Sequence, residues 1–287
     1  MDRSTTFNPL AMYMRQPKIY IKLPSNGEYW APGALEMPDN GELAVYSMTA
    51  KDELLLNVPD ALMNGQAIVD VVESCIPNIK NAWEIPSIDM DVILIAIRLS
   101  TYGEFMNTPV TFGGDVEMEY QADLRVILDD LRRQIKWDSA VEVSNELTVF
   151  VKPLIYRQMT ETALQTFETQ KIIQLANNDS ISEDDKIKMF KESFKKLTES
   201  TIGVVSKSVY RIDSPHGSVS DPDTIKEFID NIDKNTFNKI QDHLNELRVN
   251  NSLKPMTVEV TDEMREKGIT GDTVEVPLTF DASTFFG

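Results

Sequence analysis

"SIDMDVILIAIRLSTYGE", residues 87–104, decides how the rest of the chain is read. Six apolar residues follow one another from Val92 to Ile97, and the stretch closes on Arg98, Tyr102 and Gly103. A membrane helix needs roughly 20 apolar residues, and the run from 88 to 99 is too short to supply them. The reading that remains is a central buried helix. Asp89 and Asp91 suit its N-terminal end, where the backbone carries partial positive charge. Gly103 supplies the positive φ that stops it. Arg98 lies in a nearly all-round apolar helix, so its charge must reach solvent or a carboxylate partner. Tyr102, four residues on, places a ring one turn away, where it can stack on the guanidinium.

Upstream, "KIYIKLPSNGEYW" alternates Ile19 and Ile21 with lysines, which is strand period. Asn26-Gly27 and Asn40-Gly41 are turn pairs that accept positive φ, so residues 18–48 read as a β-ribbon. Thr49 with Asp52 three positions later has capping-box spacing and opens a short helix. Pro59 restarts the chain, and Ile68, Val71, Val72 and Cys75 stripe one face of a further helix. Cys75 thus reads as a buried structural thiol. Downstream, Val110, Phe112, Val116 and Met118 flank Gly113-Gly114 in hairpin fashion. A helix from Leu124 follows, then a strand carrying Leu147, Val149 and Val151.

Beyond residue 153 the pattern turns helical. Met159, Ala163 and Phe167 stripe one helix. Ser182 and Asp185 open another, whose apolar line runs through Ile187, Phe190, Phe194, Leu197, Thr201, Val204 and Ser208 and predicts a single helix to about residue 211. "SPHGSVSDPD" reads as a loop, followed by two shorter helices and a return to strand period from Val258. The fold class is therefore α+β. It divides into an arm (1–17), a mixed α/β domain (18–152), a helical domain (153–254) and a C-terminal β-hairpin with tail (255–287) that folds back on the first domain.

The chain has 287 residues, with 28 basic and 46 acidic side chains and a net charge of −18. Such a charge repels phosphates and argues against a nucleic-acid partner. One cysteine excludes an internal disulfide and fits a reducing compartment. His216 and His243 have no further ligand at metal spacing, and no nucleotide-binding or hydrolase motif occurs. No cofactor, metal or catalytic residue is expected. The one enzymatic alternative is a carboxylate-dependent hydrolase built on Asp89 and Asp91.

Three stretches taken in order carry a family signal: "KLPSNGEYW…MTAKDELLLNVPDALMNGQAIVDVVESCIPNI", "PSIDMDVILIAIRLSTYGE" and "VPLTFDASTFFG". Together they resemble the baseplate-hub and hub-assembly proteins of T-even-type contractile-tailed phages, most specifically between Leu23 and Glu104. The resemblance implies a non-enzymatic role, with other hub or tail proteins as partners. It places the chain in the host cytoplasm during assembly and leaves open whether it stays in the virion or leaves as an assembly chaperone. Relatives are expected to carry C-x-x-C pairs in the two hairpins, which zinc would staple. Both hairpins here lack cysteine, so packing of Val110, Phe112, Val116, Val258, Val274 and Val276 must replace the metal. Phe285 and Phe286 are the candidate partner contact, since burying each is worth about 1.5–3 kcal/mol; packing on the chain's own second half is the alternative.

Overall fold

The buried hydrophobic side chains fall into two clusters, and the order in which the chain visits them explains the architecture. A computed structural model describes residues 9–112, 116–131, 137–176 and 182–276. Strands β1 (Pro17–Ile21) and β2 (Leu43–Tyr46) pair antiparallel, with Ile21 opposite Leu43. Both residues are buried because alternate side chains of a strand share a face. Helix α1 (Ala50–Leu56) starts at Thr49, whose hydroxyl accepts from the Asp52 amide while the Asp52 carboxylate accepts from the Thr49 amide at 2.7 Å, the expected capping box. Short α2 (Pro59–Met63) leads into α3 (Gln66–Cys75), whose Ile68, Val71, Val72 and Cys75 are buried. Burial pushes the Cys75 thiol up to about 12, so it stays a protonated packing group.

Helix α4 (Ser87–Tyr102) packs against β1, β2 and α3, and Val92 through Ile97 are buried without interruption. Gly103 ends it at φ 95°. The hairpin of β3 (Phe105–Phe112) and β4 (Val116–Asp123) follows, rooted by buried Met106 and Ala122. The side chains of Val110, Phe112 and Val116 lie outside the described residues. Helix α5 (Leu124–Leu131) returns Leu124, Ile127 and Leu128 to the same core.

Strands β5 (Ala140–Ser144) and β6 (Leu147–Val151) open the second core. Helix α6 (Tyr156–Ala176) and the 26-residue α7 (Glu183–Ser208) form an antiparallel pair. Strands β7 (Val209–Ser214) and β8 (Gly217–Val219) complete a four-stranded antiparallel sheet in the order β5-β6-β7-β8. Helices α8 (Pro222–Asn231) and α9 (Lys234–Asn251) cover it with Ile225, Ile229, Ile240 and Leu247. The chain then returns to the first core. β9 (Met256–Glu259), α10 (Asp262–Glu266) and β10 (Thr273–Val276) bring Val260, Met264, Ile269 and Val276 into it, with Val258 and Val274 packed at its edge. The two hairpins form separate two-stranded sheets.

The architecture is α+β, and two details of the elements depart from the sequence reading. The long helix stops at Ser208, and residues 209–219, expected as the helix end and a loop, are two strands. A register shift opposite Phe150 and Val151 leaves Tyr210 as an extra residue in β7, so Val209 and Ile212, three apart, both face the core. That spacing imitates a helical stripe. Second, β5 has only two buried residues, Val141 and Val143, and a turn without Gly or Pro, so it lacked punctuation. The second core also takes in Val141 and Val143 of β5, with Trp137 packed against it. Ahead of β1 the chain is fastened at Arg15. Its guanidinium donates to the Ser47 carbonyl at 2.8 Å and the Ser74 carbonyl at 2.6 Å, and lies 3.6 Å from the Asp52 carboxylate.

Candidate interaction site

The start of α4 meets the segment 23–30 of the N-terminal ribbon. In the segment 23–30, Asn26 and Gly27 adopt positive φ of 53° and 85°, turning the chain so that Ser25 and Trp30 face the helix. The Ser25 amide donates to one Asp89 carboxylate oxygen at 2.8 Å. The Ser25 hydroxyl and the Trp30 indole N–H donate to the other at 2.5 and 2.8 Å. Asp89 is fully buried. Burial raises its carboxyl from the ordinary 3.8 to about 6, against the lowering effect of the hydrogen bonds from Ser25 and Trp30. Asp89 thus does more than complement the helix end: it latches the N-terminal ribbon to α4. Sequence reasoning missed Ser25 and Trp30; their place inside the "LPSNGEYW" stretch was the available signal.

Asp91 faces elsewhere. Two residues apart on a helix means about 200° of rotation, which turns Asp91 into a groove between the two cores while Asp89 points at the ribbon. Burial raises the Asp91 carboxyl above its usual range. The structure therefore does not bring the two carboxylates together. Arg98 lies with its guanidinium 5.2 Å from the centre of the Tyr102 ring, and Tyr102 is in turn hydrogen-bonded to Glu53. Burial lowers the Arg98 pKa, and the Tyr102 charge opposes that. Phe285 and Phe286 lie outside the described residues.

The groove has a volume of about 660 Å³. Its walls are Ile88 and Asp91 from α4, Met159, Ala163 and Phe167 from α6, and Leu244 and Arg248 from α9, with Lys152 at its side. The stripe Met159–Ala163–Phe167 lines this cleft, and Phe167 is 51% exposed. Backbone bonds beside the cleft tie the start of α4 to the chain entering α6. The Ser87 amide donates to the Leu154 carbonyl and the Tyr156 amide to the Ile85 carbonyl, each at 2.8 Å. Beside them Trp83 stacks on Tyr156 at 5.6 Å, and Arg157 lies over the Trp83 ring. Among the described residues, no three His, Cys, Asp or Glu side chains converge as a metal site, and no helix is long and apolar enough to cross a membrane.

The family described as T4 bacteriophage base plate protein matches residues 15–265, a span that takes in the latch, the cleft, the second core and the first core as far as Met264. The chain belongs to that family. No curated protein and no solved structure gives a match.

Proposed function

We propose that the chain is a structural or assembly component of the baseplate hub of a contractile phage tail, and that it acts by protein–protein binding rather than catalysis. The observation that carries this reading is the family match over residues 15–265. Placement in the hub is supported by the resemblance of residues 23–104 and of the closing "VPLTFDASTFFG" to hub and hub-assembly proteins. The chain meets its partners, other tail proteins, in the host cytoplasm during assembly and stays with them in the virion.

Mass spectrometry of purified virions tests this directly. Peptides of the chain should appear in fixed ratio to other baseplate proteins. Abundance in infected cells combined with absence from virions would replace the resident role with that of a transient assembly chaperone. Phe285 and Phe286 are the contact we assign to a hub partner. Their deletion should block baseplate assembly while the melting temperature of the isolated protein stays unchanged. A fall in melting temperature with normal assembly would show instead that they pack on the chain itself.

A further inference from the structure

Helix α7 carries its apolar line past the point where the second core ends. Near its C-terminal end Val205 is buried and Ile202 packs against that core. Toward the N-terminus the same line continues at three- and four-residue steps through Thr198, Phe194, Lys191 and Ile187. Nothing in the pairing with α6 covers it. The face turned to α6 is a different one, marked by fully buried Ser193 and by Lys207, which reaches Glu161 at 2.9 Å. Phe194 is left 63% exposed and Ile187 51% exposed. A single exposed apolar residue is ordinary. Here two stand seven positions apart on the extension of a core face, which is the spacing a partner helix reads.

The charge of this segment is opposite to that of the chain. Residues 186–196 hold five lysines and one glutamate, within a protein of net charge −18. Lys188, Lys191 and Lys195 are all exposed; at 100° per residue Lys191 stands at the edge of the Ile187–Phe194 line itself, while Lys188 and Lys195 fall along one flank of it, where Lys195 also lies 3.7 Å from Glu199. A bare apolar ridge edged by cations on one side calls for an apolar stripe edged by carboxylates. We infer that the outer face of α7 between Ile187 and Thr198 docks an acidic amphipathic helix of another tail protein, which lies beside the α6–α7 pair as a third helix. The ridge is ~16 Å long, about three helical turns. This rests on the reading of the chain as a baseplate component.

The test places the photo-crosslinking residue benzoylphenylalanine at position 194 of the full chain during infection, and at Val249, an exposed site on α9, as control. After irradiation the crosslinked peptide is sequenced by mass spectrometry. The expected product at position 194 is a peptide of another tail protein with Asp or Glu recurring at three- and four-residue intervals. Combining Lys188→Glu, Lys191→Glu and Lys195→Glu should lower its yield about tenfold, because the charges then repel, while circular dichroism of the purified variant stays unchanged. Crosslinking to a second copy of the chain, crosslinking to DNA, or a yield no higher than at Val249 would each overturn the inference. Those failures leave the hub reading standing if the chain is still found in virion baseplates; its absence from both virions and assembly intermediates would remove that reading instead.

Discussion

Asp89→Ala is expected to destabilise the protein by about 3 to 5 kcal/mol, the cost of leaving buried donors without acceptors. The substitution removes the acceptor of the Ser25 amide and of the Trp30 indole at one stroke. The Ser25 hydroxyl can rotate to a new partner, but the two N–H groups cannot. Their segment, Leu23 to Trp30, would then lose its tie to α4, and the β1–β2 ribbon its seat. Equilibrium denaturation of purified protein measures the loss, and a change under about 0.5 kcal/mol, the range of ordinary surface substitutions, would remove the latch from the account. The same group sets a pH signature. Its folded-state carboxyl titrates at about 6 against 3.8 ordinarily, so the folded state binds the proton more tightly than the unfolded chain. The stabilising contribution is fully present below about pH 4 and is lost as the pH rises through about 6, amounting to about 3 kcal/mol. The stability difference between wild type and Asp89→Asn, which cannot titrate, should therefore shrink in favour of the variant from about pH 4 to 7. A difference independent of pH would contradict the buried carboxylate.

Ile95→Ala should cost about 2 to 5 kcal/mol, the range for truncating a fully enclosed aliphatic side chain. The more telling comparison is with Ile93→Ala. Residues two apart on a helix point to nearly opposite sides, so in a helix with one wet face one of these substitutions would be almost silent. Here both side chains are fully buried: β1, β2 and α3 cover α4 together with α5, and its first turns are stitched to the start of α6. Both variants are expected to lower the denaturation midpoint by comparable amounts. A near-neutral Ile93→Ala with a costly Ile95→Ala would turn α4 into a surface helix and remove the reason its apolar run is continuous.

Local rules were legible wherever the interaction is local. The capping box at Thr49, the N-cap at Ser182, the stop at Gly103 and the ring of Tyr102 beside Arg98 all involve residues within four positions of each other, so spacing alone could read them. The β7 strand was not legible, because its extra residue at Tyr210 gives core positions three apart and strand period is lost. The stripe on α7 was legible as a stripe. Which part of it is core depended on where the sheet and α9 happen to end.

For this protein, then, the sequence by itself determined that α4 exists, that it is buried, where it starts and stops, and which family the chain resembles. These follow from unbroken hydrophobicity and short-range backbone chemistry. Only the tertiary structure decided what the helix is for. Ser25 and Trp30 lie 64 and 59 residues from Asp89, and no periodicity encodes which distant donors will surround a carboxylate. The same holds for the outer face of α7, where identical spacing yields buried Val205 and bare Phe194, because burial is set by the elements that arrive from elsewhere in the chain.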